Sequence, residues 1–302
     1  HDSSASIIVN NEIIAAVQEE RFTRVKNTPD FPLNSIKFCL EETGLKIEEL
    51  DAIVFYDKPI LKFERLLSTF YQVAPKGLIP FIKSIPIWLK EKLFLRKIIY
   101  DNLKEIDSTL NKKKLNLLFT EHHISHAAST FYPSNFKESA ILTIDGVGEW
   151  CTASICKGKD KKIEILKELQ FPHSVGLLYS AFTYYLGFRV NSGEYKLMGL
   201  APYGEPKYVK KIKDNLIEIN EDGSFRLDIS FFKYHRGFRM TSSKFHKLFG
   251  SNPRKNDQEI TQFHMDLASS IQVVTEEIIL KIAKSLRKET GLENICLSGG
   301  VA

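Results

Sequence analysis

The sequence has little cysteine: Cys39, Cys151, Cys156 and Cys296 are its whole complement in 302 residues. Four scattered thiols argue against a disulfide framework and fit a reducing, cytoplasmic setting. Cys151 and Cys156 stand too far apart for a CxxC hook, and no second pair completes a cysteine zinc site. Long apolar runs are missing as well. The most apolar window, 77–95, is interrupted by Pro80, Lys83, Pro86, Lys90 and Lys92, short of the ~20 unbroken residues of a membrane span. An interfacial or core helix is expected there instead. No signal-peptide pattern is visible. Nor does one sign of charge dominate: 42 Lys+Arg against 37 Asp+Glu leave only +5, spread along the chain, which excludes a strongly basic nucleic-acid arm. With 43% hydrophobic and 26% charged residues and no tract disordered by composition, the chain reads as a soluble globular protein. At ~100–200 residues per domain its length suggests two lobes. It opens at His1 without an initiator Met and stops at Ala302 without a polar tail, as expected of a piece excised from a longer polypeptide.

The order of elements predicts an α/β protein. Residues 5–9 and 12–17 read as a hairpin around Asn10-Asn11, since Asn tolerates the positive φ of a two-residue turn. A helix is predicted from Pro32 to Glu42 with Gly44 as its C-terminal cap, then a buried strand over 51–56. From Leu61 to about Leu110 the chain turns to Lys-, Leu-, Ile- and Phe-rich helical stretches, an expected helical insertion. The run Lys112-Lys113-Lys114 is a solvated turn, followed by a strand to Phe119. Strands are predicted over 140–144, 151–156 and 163–169, with a turn at 157–160. Phe263, Leu267, Ile271, Val274, Ile278, Ile282 and Leu286 mark one long helix closed by Gly291, and 295–297 is a last strand. The expected lobes are 1–138, including the insertion, and an incomplete 139–302.

The sharpest local signal is Glu121-His122-His123-Ile124-Ser125-His126, where three of eight histidines fall within five positions. With Thr120 as a candidate N-cap, the four-residue step puts His122 and His126 on one helical face, able to converge on a metal ion. His123 lies about a hundred degrees away and should make a different hydrogen bond. The alternative is a set of helix-packing histidines, because two ligands do not make a site. Asp145, ending a buried strand just before Gly146 and Gly148, is the natural third ligand; the alternative there is a tight turn with an Asp cap. Two His and one carboxylate leave coordination positions open, which suits Fe(II) and catalytic Zn. Asp2-Ser3-Ser4 and Ser298-Gly299-Gly300 offer backbone N–H groups and hydroxyls to phosphate or ribose, unless they are ordinary turns. The stretch 191–204 reads as a long, turn-rich loop carrying Glu194, Lys196 and Gly199.

Six ordered segments together resemble the NodU/CmcH-type O-carbamoyltransferases, in their kinase-like N-terminal domain. They are His1-Asp2-Ser3-Ser4-Ala5-Ser6, Glu19-Glu20-Arg21-Phe22-Thr23-Arg24, His122-His123-Ile124-Ser125-His126-Ala127, Asp145-Gly146-Val147-Gly148-Glu149, Gly193 to Gly204, and Ser298-Gly299-Gly300-Val301-Ala302. The resemblance runs nearly end to end. It implies a two-lobed fold of the actin, Hsp70 and sugar-kinase (ribonuclease H-like) type, with a nucleotide between the lobes. It also implies that carbamoyl phosphate and ATP become carbamoyl-adenylate, generally on a C-terminal YrdC-like domain outside this chain. The carbamoyl group then passes to a hydroxyl of a small molecule, often a sugar. By the same resemblance His122 and His126 are metal ligands, and Asp145 is either a third ligand or the holder of a metal-bound water. The metal is expected to be Fe2+, with Mg2+, Mn2+ or Zn2+ as alternatives. His1 would be the general base on the acceptor, Lys196 would stabilise phosphate or carbamoyl oxygens, and Asp2, Ser3, Ser4, Gly146, Gly148, Gly199, Gly299 and Gly300 would line the nucleotide and carbamoyl site. The expected partners are the acceptor, the YrdC-like domain and, compatibly, a second copy in a homodimer.

Two other readings remain open at this level. A sugar or acid kinase of the same superfold would transfer the γ-phosphoryl of ATP, but it needs no histidine pair. A nucleotide-binding module without activity of its own would use the same glycine turns.

Overall fold

Asn10 and Asn11 both take left-handed φ, 52° and 69°, and this reversal joins β1 (Ser4–Val9) to β2 (Glu12–Gln18) as an antiparallel hairpin. The computed structural model describes residues 2–88 and 94–302. His1 and the end of the apolar window, including Lys90 and Lys92, lie outside the described residues. After a single turn, α1 (Glu20–Thr23), comes α2 (Leu33–Thr43), stopped by Gly44 at φ 67°. The residue before α2 is Pro32, which makes no side-chain cap. The buried Glu19 does this work from a distance. Its Oε2 accepts from the Ser35 N–H and hydroxyl, each at 2.8 Å, and its Oε1 from the Asn34 backbone N–H at 3.2 Å, which satisfies orphan donors of the first turn.

Next come β3 (Ile53–Phe55) and three helices, α3 (Pro59–Val73), α4 (Leu78–Trp88) and α5 (Leu95–Ile106), on the stretch expected to be helical. Strand β4 (Leu117–Phe119) then pairs in parallel with β3. The chain divides into two compact units, His1–Ile60 with Ile85–Thr120, and Leu61–Ser84 with Glu121–Ala302. The unit boundaries at Ile60 and Ser84 thus fall within this helical stretch. In the first unit α5 buries Ile99 and Leu103 with Ile47, Leu110 and Leu117.

The second unit starts with α6 (His122–Phe131) and the meander β5 (Glu138–Ile144), β6 (Cys151–Lys159) and β7 (Lys162–Gln170). Helices α7 (Val175–Tyr185), α8 (Glu194–Leu200) and α9 (Val209–Asn215) follow, then a small hairpin of β8 (Ile217–Ile219) and β9 (Phe225–Leu227). Helix α10 (Ser243–Phe249), the long α11 (Gln262–Thr290) and β10 (Ile295–Ser298) complete it. The sheet order is β10-β5-β6-β7, antiparallel within the meander and parallel between β10 and β5. The result is a mixed α/β fold with several sheets.

Alternation along β5 serves two cores at once. Leu142 and Ile144 join α7 and α11 through Leu178, Phe182, Leu267 and Ile271, while Ile141, with Cys156 and Cys296, packs on Ala127 and Phe131 of α6. Gly158 on β6 lets the Phe131 ring lie close, because a Cβ there would come within 2.7 Å of it. Helix α6 is thus laid on the sheet, and the end of β5 runs out beside its first turn.

The structure differs from the sequence reading at three boundaries. The turn expected at 157–160 begins later, since β6 pairs up to Lys159 and Asp160 takes the left-handed φ of 52°. Residues 194–200 are helical, not loop, because Leu197 is drawn fully into the core beside α7 and α11 and Glu194 accepts the Asn191 and Gly193 N–H groups at the helix start. Thr120 does not cap α6. Its N–H donates to the Phe55 carbonyl in continuation of the β3–β4 pairing, and the cap position falls on Glu121. No described helix is long and apolar enough to cross a membrane.

Candidate metal centre

The four-residue step on α6 does what its geometry requires. His122 and His126 project on one face with their Nε2 atoms 3.1 Å apart. Asp145, the first residue beyond β5, brings Oδ2 to 2.6 Å from His122 Nε2 and 3.4 Å from His126 Nε2. One ligand atom from each of the three lies within 4.8 Å of the others, so the donor set fits a divalent cation with positions left for substrate or water. Burial alone would raise the Asp145 carboxyl pKa, but hydrogen bonds from His122 and His126 outweigh it and hold the group well below the usual carboxylate range. The carboxylate is therefore ionised, the form that coordination of a cation would require.

His123 turns the other way, as its hundred-degree offset predicts. It is buried against the sheet with Nδ1 2.6 Å from Thr143 Oγ1, which in turn lies 2.6 Å from Ser154 Oγ. Burial, and then the neighbouring His122, push its pKa down to about 4. It stays neutral and anchors the helix to the floor.

The loop that carries Asp145 is held from several sides. Ser174, the cap of α7, donates to the Gly146 carbonyl at 2.6 Å. Gly176 approaches so closely that a Cβ would lie 2.6 Å from the Asp145 carbonyl oxygen. The Gly148 space is taken by α6, because a Cβ there would meet the His122 Cβ at 3.0 Å. Its lack of a side chain thus serves the histidine helix, whereas Gly146 faces nearly open space. Arg65 of α3 donates to the Gly148 carbonyl at 2.9 Å, and its guanidinium lies 5.3 Å from the centre of the Phe171 ring. Nothing in the 61–110 stretch singled out Arg65, since one arginine on a helix carries no spacing signal.

The last loop comes to the same place. After β10, Gly299 takes φ 106°, and any Cβ would collide with the Ile144 carbonyl oxygen. The Val301 N–H donates to that oxygen at 3.1 Å. Gly300 passes Asp145 closely enough that a Cβ would be 2.9 Å from Oδ1, and Ser298 Oγ stands 3.5 Å from His126 Nδ1. His122, His126, Asp145 and the Ser298–Gly300 turn are therefore one cluster.

Lys196 and Gly199 are exposed on α8, with the Lys196 ammonium 5.9 Å from the Tyr195 ring centre. Asp2, Ser3 and Ser4 belong to the first unit. There Asp2, at φ 60°, accepts from the Asn27 side chain at 2.7 Å, and Ser3 bonds through its backbone to Thr28 and Glu19. Gly199 has nothing within 4 Å of an added Cβ. Gly199→Ala is therefore expected to raise stability by ~1 kcal/mol through helix propensity. A thermal melt checks this, and a drop in Tm would show that the position needs its glycine.

Comparison with known proteins meets the geometry here. The family model described as "Carbamoyltransferase N-terminus" matches residues 1–302. An uncharacterized protein of Synechocystis is 53% identical over 302 residues, covering 100% of this chain and 49% of its own length. The nodulation protein NolNO of Sinorhizobium fredii is 31% identical over 305 residues, covering 100% of the chain and 41% of its own length. Nodulation protein NolO of Bradyrhizobium diazoefficiens is 32% identical over 181 residues, 60% of the chain and 31% of its own length. The chain thus spans half or less of the length of these relatives. With its six motifs in order and the family model matched throughout, the chain belongs to the carbamoyltransferase N-terminal family, of the NodU/CmcH type.

Proposed function

We propose that the chain is the part of an O-carbamoyltransferase that passes the carbamoyl group of carbamoyl-adenylate to a hydroxyl of a small molecule, a sugar or a sugar-containing product. The observation that carries this reading is the convergence of His122, His126 and Asp145 beside the Gly299-Gly300 turn. A phosphoryl-transferring kinase has no use for such a histidine pair. The mixed sheet, an antiparallel meander extended by the parallel β10, supports a lobe of the actin, Hsp70 and sugar-kinase type.

In this reading the acceptor oxygen attacks the carbamoyl carbon, the bond from that carbon to the adenylate oxygen breaks, and AMP leaves. His1 takes the acceptor proton as general base. His122, His126 and Asp145 would hold a divalent cation, Fe2+ before Mg2+, Mn2+ or Zn2+, which would supply Lewis-acid polarisation of the carbamoyl carbonyl. Gly146, Gly299 and Gly300 give the adenylate a close approach to backbone, and Lys196 stabilises charge on phosphate or carbamoyl oxygens. Carbamoyl-adenylate would come from carbamoyl phosphate and ATP on a YrdC-like domain, for which the greater length of the relatives leaves room. Incubating the full-length protein with ATP, carbamoyl phosphate and a sugar acceptor is expected to yield AMP and a carbamoylated product. ADP with a phosphorylated acceptor would replace this reading with the kinase.

A further inference from the structure

Helix α6 carries both histidines but starts without help from its own cap residue, since the Glu121 side chain makes no capping hydrogen bond. The first four N–H groups of a helix need partners from outside it, and here one partner comes from 27 positions further along the chain. The His122 N–H donates to Glu149, 3.1 Å from Oε2 and 3.3 Å from Oε1. Glu149 is only 6% exposed, and it closes the same five-residue loop that Asp145 opens. That loop therefore touches α6 three times: Asp145 at the imidazoles, Gly148 at the His122 Cβ, and Glu149 at the His122 backbone.

The first and third contacts act on different degrees of freedom. Asp145 meets the ends of two side chains, which could follow it through rotation about their own bonds. Glu149 grips the main chain of the first ligand residue, so it fixes how far along its axis, and at what rotation, α6 stands against the loop. A helix advances 1.5 Å and turns about 100° per residue, so a small slip at the start would move His122 and His126 off Asp145 together. The carboxylate also suits the positive end of the helix dipole.

We infer that Glu149 is a positioning residue for the metal centre: by capping the His122 N–H it sets the register of the histidine helix against Asp145. The inference rests on the reading of the triad as a metal site. Outer hydrogen-bond partners of metal ligands are typically worth roughly 10–100-fold in metal affinity, and that is the effect expected here.

The test is a Co2+ titration of full-length protein stripped of metal, read by the visible absorption of the bound ion, for wild type, Glu149→Asp and Glu149→Gln. Circular dichroism and Tm establish that each variant is folded. Asp keeps the charge but is one methylene too short to reach, whereas Gln keeps both the reach and an acceptor oxygen. Glu149→Asp is expected to bind Co2+ roughly 10–100-fold more weakly, with an altered spectrum, and Glu149→Gln to retain the wild-type spectrum with only a few-fold loss. Equal affinity and spectrum in Glu149→Asp and wild type would overturn the inference. So would the reverse order, with Gln impaired and Asp normal, since charge and not reach would then matter. Wild type that takes up no Co2+ would overturn the metal reading itself, a result distinct from either.

Discussion

His122→Ala combined with His126→Ala is expected to leave the full-length protein unable to retain a divalent metal and to cut carbamoyl transfer by more than roughly 100-fold, beyond what loss of an outer hydrogen-bond partner costs. The reason lies in the number of donors. Without the two imidazoles, Asp145 alone remains of the three clustered groups, and one monodentate carboxylate competes poorly with water for a divalent ion. Metal content by elemental analysis and product formation by mass spectrometry measure the two losses separately. Normal transfer in the double variant would remove the histidine pair from the mechanism. A fall in transfer with metal retained would make the histidines substrate contacts instead of ligands.

Gly299→Ala is expected to cost the chain a large part of its stability margin. Two penalties coincide there: a left-handed φ of 106° and a Cβ driven onto the Ile144 carbonyl oxygen. Backbone strain of this kind costs about 1–2 kcal/mol, and overpacking against a structure that cannot yield adds about 1–3 kcal/mol. A loss of roughly 3 kcal/mol is therefore expected, or a drop in Tm of roughly 5–10 °C for a chain of this size. The Ile144 carbonyl is also the acceptor for Val301 and lies next to Asp145, so relief of the clash moves the turn away from the His122, His126 and Asp145 cluster. Metal affinity should fall with Tm. An unchanged Tm would mean that the turn after β10 is free to move. Gly199→Ala, expected to stabilise, is the contrasting case, because nothing lies within 4 Å of a Cβ added there.

What the sequence made legible was whatever depends on short-range spacing. Asn10-Asn11, Gly44 and Gly291 announce their turns and caps because each sits at a left-handed φ that few residues tolerate, and the apolar steps of α11 are long enough to leave no second reading. His122, His126 and Asp145 were also readable, since one helical step and one strand end suffice to bring them together. The misreadings share a physical cause. Residues 194–200 look like a loop until Leu197 is seen to be buried by distant helices. The position of the α6 cap depends on pairing between β3 and β4, which draws Thr120 into the strand side. Glu149 and Arg65 act on residues 27 and 83 positions away, and no local pattern encodes a partner at that range.

Helices α2 and α6 share a habit: each begins on a carboxylate borrowed from elsewhere in the chain, Glu19 for one and Glu149 for the other. This bears on the order of folding. A helix of ten residues is marginal in isolation, and one whose first turn waits for a distant side chain gains little until that side chain arrives. For α6 the wait lasts until β5 and β6 have paired, because the loop between them delivers Glu149 and Asp145 together. The arrangement of the histidine pair against Asp145 therefore belongs to the tertiary fold and not to a local peptide motif. Before that pairing the chain carries two imidazoles without their carboxylate, and the cluster of His122, His126 and Asp145 is complete only once the sheet has closed the loop.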